Sequence, residues 1–109
     1  MLSEPTYFIL ASLLDGPLHG YAILKAAEEL SGGRVRITAG TLYGGLDRLL
    51  GQGLVSLEGE EIVNGRARRY YSVTGEGIAA LRRDASHKRS AAAVVSRRLG
   101  HGSTMPGPA

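Results

Sequence analysis

The order of apolar and polar residues along the chain predicts four helices and one hairpin. Residues 6–14 are apolar on most sides, as in a helix that is largely buried. Apolar residues then recur three and four positions apart, the spacing of a helix face, in residues 19–31, 38–50 and 75–99. Two other stretches read as strands, residues 54–63 and 67–73. Asn64-Gly65 lies between these strands and is a strong signal for a tight hairpin turn.

The third helical stretch, Thr38–Leu50, has one apolar face and an almost bare opposite face. The apolar face consists of Leu42, Leu46, Leu49 and Leu50. The opposite face consists of Gly40, Thr41, Gly44, Asp47, Arg48 and Gly51, with Tyr43 at its flank. Glycine inside a helix costs roughly 1 kcal/mol relative to alanine, so the pair Gly44-Gly45 requires a reason. Either another surface approaches the helix closely, or the helix packs tightly on a neighbouring helix, and this stretch alone leaves both open.

The order of the elements predicts a mainly α fold with a small β-hairpin, a winged helix-turn-helix. The second and third helices form the helix-turn-helix pair and the hairpin forms the wing. Residues 1–74 then make one DNA-binding domain, and residues 100–109, rich in glycine and proline, are predicted to be disordered. Within the domain, Leu18-His19-Gly20 is expected to open the second helix. The alternation of polar and apolar residues at 34–37 suits a short strand, and Thr38 suits the N-cap of the third helix.

The fourth helix, residues 75–99, is too long to be covered by a domain of this size. Its spacing of three and four residues resembles the seam of a coiled coil, although Lys88 interrupts the apolar positions. The predicted dimerisation residues on this seam are Ile78, Leu81, Ala85, Ala92, Val95 and Leu99. A second copy of the chain is therefore the expected cover, and a partly exposed helix is the alternative.

Composition and charge narrow the class of protein. The 109 residues suit one domain, and 43% of them are hydrophobic, as in a globular protein. The chain has no cysteine, no apolar run long enough to span a membrane and no basic leader of a signal peptide, so we expect a cytoplasmic protein without membrane contact. The net charge of +3 divides unevenly: residues 1–81 carry −2 and residues 82–109 carry +5.

Arginines cluster where a winged helix would meet DNA. Three of them, Arg66, Arg68 and Arg69, follow the predicted hairpin turn, where a projecting wing tip can contact phosphates. Ordinary loop polarity is the alternative, and Glu58, Glu60 and Glu61 on the opposite strand can partly neutralise the tip. On the third helix, Arg48 is suited to a guanine, because arginine can donate two hydrogen bonds to O6 and N7. It can instead reach only a phosphate or pair with a nearby acid.

The sequence does not predict an enzyme, a metal site or a cofactor. His19 has no second histidine, cysteine or carboxylate at ligand spacing, so we assign it a role in a turn or in packing. No paired carboxylates, nucleophile with a base, or phosphate-binding loop can be identified in the chain.

Four segments together resemble the PadR family of bacterial transcriptional regulators. They are GPLHGYAI at 16–23, GTLYGGLDRLLGQGLV at 40–55, GRARRYYSVT at 65–74 and the GIAAL that follows. The resemblance covers about residues 5–82, and the combination of GTLY with RRYYSVT is specific. It implies a cytoplasmic, homodimeric winged-helix protein that binds double-stranded DNA, most often as a repressor on an inverted repeat. It places Thr41 and Tyr43 on the DNA-facing helix, the arginines on the wing tip, and the last helix in the dimer.

The pattern and the resemblance together give one leading function. We expect a sequence-specific transcriptional regulator without enzymatic activity, whose third helix enters the major groove. The predicted DNA-binding residues are Thr38, Thr41, Tyr43, Gly44, Arg48, Arg66, Arg68 and Arg69. A small-molecule effector at the dimer interface, suggested by the loosely packed seam, would release the DNA. The alternative is a winged-helix module that binds a protein and not DNA, which the acidic balance of residues 1–81 favours slightly.

Overall fold

The computed structural model describes the backbone of residues 1–104 and the side chains of residues 1–100. Seven elements follow each other in the order α1, β1, α2, α3, β2, β3 and α4. The helices are α1 (Glu4–Ser12), α2 (Gly20–Leu30), α3 (Ala39–Gly51) and α4 (Gly75–Thr104). The strands are β1 (Leu18–His19), β2 (Val55–Val63) and β3 (Arg66–Val73). The predicted class, a winged helix-turn-helix with a long last helix, is confirmed.

The three strands form one antiparallel sheet in the order β1-β3-β2. The β2–β3 hairpin, which we call the wing, turns at Asn64-Gly65, and both residues have positive φ angles of 53° and 77°. This pair of angles is the one that a two-residue hairpin turn of type I′ requires. The register shifts between Leu57 and Gly59, so Glu58 is the extra residue of a bulge.

The first strand is a correction to the sequence prediction. Leu18 and His19 were expected to open α2, but they pair with Tyr71 and Tyr70 of β3. His19 is the N-cap of α2, and its Nδ1 accepts a hydrogen bond from the N–H of Ala22 at 3.4 Å. His19 thus has a structural role, as predicted, although it lies in a strand and caps a helix and does not form a turn. A two-residue strand has too few residues to show a period, which is why the pattern missed it.

Residues 34–37 are a second correction, because they form no strand. Val35 is buried, and its N–H donates to the Oγ of Ser31 at 2.8 Å, which ties the connection back to the end of α2. Arg34 pairs with Glu4 of α1 at 2.6 Å, and Arg36 pairs with Glu28 of α2 at 3.6 Å. The polar and apolar alternation thus reflects a loop that buries one side chain and pairs its neighbours.

One hydrophobic core lies between the first three helices, the base of the wing and the start of α4. Its members come from all of these elements: Ile9, Leu10, Leu13, Ile23, Leu42, Leu46, Leu49, Val55, Tyr71 and Leu81. Three of the four leucines on the predicted apolar face of α3 are buried, and Leu50 packs partly against the core. Their burial fixes the direction of the opposite face of α3.

The fourth helix differs from the prediction at both ends. Leu81 was assigned to a dimer seam, but it is only 7% exposed and belongs to the core of the domain. The helix was expected to end at Leu99 and runs to Thr104, so the first part of the predicted disordered tail is helical. The remainder of that tail, residues 105–109, lies outside the described residues.

Candidate nucleic-acid interface

The N-terminus of α3 is exposed and carries short polar side chains. Thr38 is the N-cap: its Oγ1 accepts from the N–H of Thr41 at 3.2 Å and donates to the Oγ1 of Thr41 at 3.0 Å. Both threonines, and Gly40 between them, are exposed. A capped helix end of this kind offers backbone N–H groups and the positive end of the helix dipole to an approaching anion.

The outward face of α3 is bare, as its sequence predicts. Every residue assigned to that face is exposed, and a Cβ added to Gly40 or Gly44 would meet no atom within 4 Å. Gly45 differs from its neighbour, because it is buried and lies next to the guanidinium of Arg48. The open space therefore lies next to Gly44 and not next to Gly45. Another surface can approach the helix backbone at Gly44 without meeting a side chain.

Tyr43 lies at the edge of this face and packs against the start of α2. Its side chain is 45% exposed. One edge of the ring rests on the backbone of Gly20, the first residue of α2: a Cβ at Gly20 would overlap the Tyr43 Oη. Tyr43 and Gly20 both line the space between α3 and the wing.

That space is a cleft of about 920 Å³, which we call the α3–wing cleft. Its walls are the start of α2, one flank of α3 and the distal half of the wing. The lining residues that carry charge or an aromatic ring are His19, Tyr21, Tyr43, Asp47, Arg66, Arg68, Arg69 and Tyr71. The cleft thus joins one candidate residue of α3, Tyr43, to the arginines of the wing on one concave surface.

The three arginines of the wing have different surroundings. Arg69 pairs with Glu60 of the neighbouring strand at 3.5 Å. Arg66 is paired across the hairpin with Val63 and is exposed, while Arg68 is opposite Glu61 and is half-buried. Among the side chains that the structure describes, Arg48, Arg66 and Arg68 form no ion pair with a carboxylate. These three guanidinium groups can contact phosphates or base edges without losing an ion pair, whereas Arg69 would exchange its exposed pair with Glu60 for a phosphate.

The electrostatics of the cleft affect two of its residues. Burial and the nearby guanidinium of Arg68 lower the pKa of His19, against an opposing effect of Glu61, so the imidazole stays neutral and can accept the N–H of Ala22. Burial raises the pKa of Tyr71, although a hydrogen bond with Arg69 acts in the opposite direction. Tyr71 is therefore a buried, neutral phenol that lines the cleft together with the arginines of the wing.

Apolar side chains remain uncovered on the distal half of α4. Val94, Val95 and Leu99 are 52%, 54% and 66% exposed. Val95 and Leu99 are one helical turn apart and therefore share a face. Of the other predicted dimerisation residues, Ala92 is exposed, while Ile78 and Ala85 are half-buried nearer the domain.

Two features of the interface were not identified from the sequence. Gly20 reads as an ordinary start of a helix, and only the packing of Tyr43 shows why a side chain is excluded there. Tyr71 reads as one of two tyrosines in a strand, and the pairing with β1 decides that it points into the core. In the part of the chain whose side chains are described, no group of His, Asp and Glu residues could hold a metal ion. None of the helices in the described residues is long and apolar enough to cross a membrane.

Comparison with known proteins identifies the family. The model of the transcriptional regulator PadR-like family matches residues 9–83. Transcriptional regulator Rv3488 of Mycobacterium tuberculosis is 42% identical over 76 residues, which are 70% of this chain and 67% of that protein. A 37.1 kDa protein of transposon TN4556 from Streptomyces fradiae is 44% identical over 83 residues. That match covers 76% of this chain but only 22% of the transposon protein.

Solved structures agree with this assignment. A PadR family transcriptional regulator from Eggerthella lenta superposes with a TM-score of 0.69 at 31% identity, covering 86% of this chain and 80% of that one. Bacillus subtilis PadR in complex with operator DNA superposes with a TM-score of 0.62 at 26% identity, covering 71% of this chain and 44% of that one. The chain therefore belongs to the PadR-like family of transcriptional regulators.

Proposed function

We propose that this regulator binds double-stranded DNA in a sequence-specific manner, as a homodimer, with α3 in the major groove and the wing on the flanking backbone. The observation that carries the proposal is the exposed, bare face of α3, which is flanked by the unpaired Arg48 and continues through the α3–wing cleft to the wing arginines. The similar fold of Bacillus subtilis PadR, whose structure is a complex with operator DNA, supports DNA binding by this chain.

The residues divide into base-reading and backbone-contacting groups. Thr38, Thr41 and Tyr43 lie at the exposed N-terminal half of α3, and Arg48 lies in its last turn on the same exposed face. All four are assigned to the major groove, where Gly44 lets the backbone approach closely. The wing arginines Arg66, Arg68 and Arg69 are assigned to phosphates, which fix position without reading sequence. A regulator that acts on DNA also belongs in the cytoplasm.

Repression and release complete the proposal. A dimer that covers an inverted repeat excludes other proteins from that DNA, which makes repression the expected outcome. Small molecules bound between the two copies of α4 would change the spacing of the two recognition helices, which must match half-sites about 34 Å apart. A panel of effector candidates that changed neither the Tm of the protein nor its operator affinity would contradict this release step.

The first experiment selects DNA fragments from the source genome on the wild-type protein and measures their affinity by fluorescence anisotropy, beginning with the DNA upstream of its own gene. Scrambled duplexes of the same composition are the control, and each titration is repeated at several salt concentrations. We expect specific binding at least about 10³-fold tighter than binding to scrambled DNA, with a steep salt slope. Equal, weak binding to every duplex would instead support the protein-binding alternative.

Arg48→Ala is expected to weaken binding to the selected operator by about 10- to 100-fold, because a bidentate arginine contributes about 1–3 kcal/mol of discrimination at one base pair. Binding to scrambled DNA should change much less than binding to the operator. The Tm should also stay nearly the same, since Arg48 is exposed and forms no ion pair. Arg82→Ala on α4 removes the same charge from an exposed position outside the interface and is the matched control. Equal losses of operator affinity in Arg48→Ala and Arg82→Ala would show that Arg48 does not take part in base recognition.

Replacing Arg66, Arg68 and Arg69 together with alanine is expected to weaken binding to operator and scrambled DNA alike. Each lost phosphate contact makes the negative slope of log K against log salt shallower by about 0.9. The magnitude of the slope should therefore decrease by up to about 2.7. Arg66→Ala alone is the cleaner single variant, because it leaves no glutamate unpaired. An unchanged slope in both variants would exclude the wing from the DNA interface.

A further inference from the structure

The contact between Gly20 and Tyr43 is one of those that join the two helices of the helix-turn-helix pair. Gly20 is the buried first residue of α2. A Cβ at this position would overlap the Oη of Tyr43 and would lie 2.7 Å from its Cζ and 3.1 Å from its Cε1. All three of these atoms belong to the same tyrosine ring, so the missing side chain of Gly20 is the space that the end of the ring occupies.

Backbone conformation does not explain the glycine. Five glycines of the described residues have positive φ angles, and Gly20 is not among them. Any residue can therefore adopt its backbone angles, and alanine would be the better helix former. A side chain at position 20 would instead have to displace the hydroxyl end of the tyrosine on the neighbouring helix.

The contact also determines where the exposed edge of Tyr43 points. The hydroxyl end of the ring rests against Gly20, and Gly20 and Tyr43 line the α3–wing cleft together with Tyr71 and Arg69 of β3. A Cβ on Gly20 would force the hydroxyl end of the ring away from α2 and change its position in that cleft. The residue at position 20 contacts no DNA in this arrangement. It nevertheless sets the position of Tyr43, the side chain that the proposed function assigns to DNA.

We propose that Gly20 is a positioning residue for DNA recognition: by lacking a side chain, it holds Tyr43 in the one orientation in which its exposed edge meets the operator. This rests on the proposed function, because it requires that Tyr43 contacts DNA. It adds a specificity-determining residue on α2 to those of α3, and it acts through Tyr43 alone. A residue that acts through one partner loses its effect when that partner is removed.

A double-mutant cycle tests this dependence. Gly20→Ala, Tyr43→Ala and the double variant are compared with the wild type by anisotropy on the selected operator and on scrambled DNA. We expect Gly20→Ala to weaken operator binding by roughly tenfold or more while binding to scrambled DNA stays within about twofold. In the Tyr43→Ala background, the same substitution should change operator affinity by less than about twofold.

Gly75→Ala is the matched control. Gly75 is also the first residue of its helix, and a Cβ there would meet no atom within 4 Å. It should leave operator affinity unchanged. Thermal unfolding of the same variants reports the packing independently of DNA. In the wild-type background, we expect Gly20→Ala to lower the Tm relative to Gly75→Ala. In the Tyr43→Ala background, we expect no such difference.

The outcomes separate this inference from the proposed function. If the wild type binds no duplex specifically, the proposed function fails, while the thermal cycle still reports the contact. If the wild type binds its operator but Gly20→Ala does so equally well, the positioning role is overturned. Equal losses from Gly20→Ala with and without Tyr43 would overturn it as well, because Gly20 would then act through another group.

Discussion

Replacing Gly77 with alanine is expected to lower the free energy of unfolding by about 3 kcal/mol and the Tm by roughly 10 °C or more. Gly77 is buried in the first turn of α4, where the helix meets the backbone between α3 and β2. A Cβ there would overlap the carbonyl oxygen of Leu54 and would lie 2.7 Å from Cγ2 of Val73. A backbone carbonyl cannot turn aside as the end of a side chain can, so the whole helix start would have to move.

Three hydrogen bonds hold that helix start in place. The N–H of Thr74 donates to the carbonyl of Leu54 at 3.1 Å, and the Thr74 hydroxyl donates to the carbonyl of Gly53 at 2.6 Å. The N–H of Gly77 donates to the Oγ1 of Thr74 at 3.0 Å. Moving α4 outward to accommodate a methyl group would stretch these bonds, which is why we place the effect at the upper end of the range for overpacking.

Thermal unfolding followed by circular dichroism measures this effect, and Gly75→Ala is again the matched control. Gly75 lies two residues earlier in the same helix, and an added Cβ meets open space there. Its substitution should leave the Tm unchanged or raise it slightly, since alanine is the better helix former. Equal Tm values for the two variants would show that α4 does not start as close to Leu54 as the structure has it.

The third helix could be predicted closely because its own sequence contains the information. The leucines that face the core and the short residues that face outward follow one helical period, and Thr38 supplies its own N-cap. The structure begins this helix at Ala39, directly after the predicted cap. The two glycines were harder to interpret: their sequence context is shared, yet Gly44 is open and Gly45 is buried, and only packing separates them.

Contacts between distant residues explain what the sequence did not predict. The strand at Leu18–His19 exists because β3 provides its partner more than 50 positions later. Leu81 fits the spacing of a dimer seam, but the first two turns of α4 lie on the domain and bury it. The wing arginines were predicted as one group, and cross-strand pairing divides them, since Arg69 is bound to Glu60 and Arg66 is not. No local period carries this information.

Charging the exposed apolar face of α4 is expected to convert the proposed dimer into monomers. Val95 and Leu99 are more than half exposed and share a face, which a second copy of α4 would cover. In a two-fold dimer, each substitution enters the interface twice. An uncompensated buried charge costs about 3–5 kcal/mol, so Val95→Asp should weaken the dimer by about 10³-fold or more.

The basic surroundings of this face call for a second variant. Residues 82–100 contain six Lys and Arg residues and a single acid, Asp84, so an introduced aspartate can be partly neutralised. Val95→Lys adds a charge of the same sign as those already present and cannot be neutralised in this way. Ser90→Asp is the control, because Ser90 is exposed and lies 140° around the helix from Val95 at about 100° per residue.

Light scattering coupled to size exclusion reports the mass, which should fall from twice 11.5 kDa to 11.5 kDa in both Val95 variants and remain doubled in Ser90→Asp. If both Val95 variants remain dimeric, the dimer interface does not include this face of α4. Loss of the dimer should also weaken operator binding, although no residue of α3 or the wing has changed. A monomer presents one recognition helix to one half-site, and the affinity that comes from binding both half-sites together is lost. Operator binding that persists in a proven monomer would show that a single winged helix suffices.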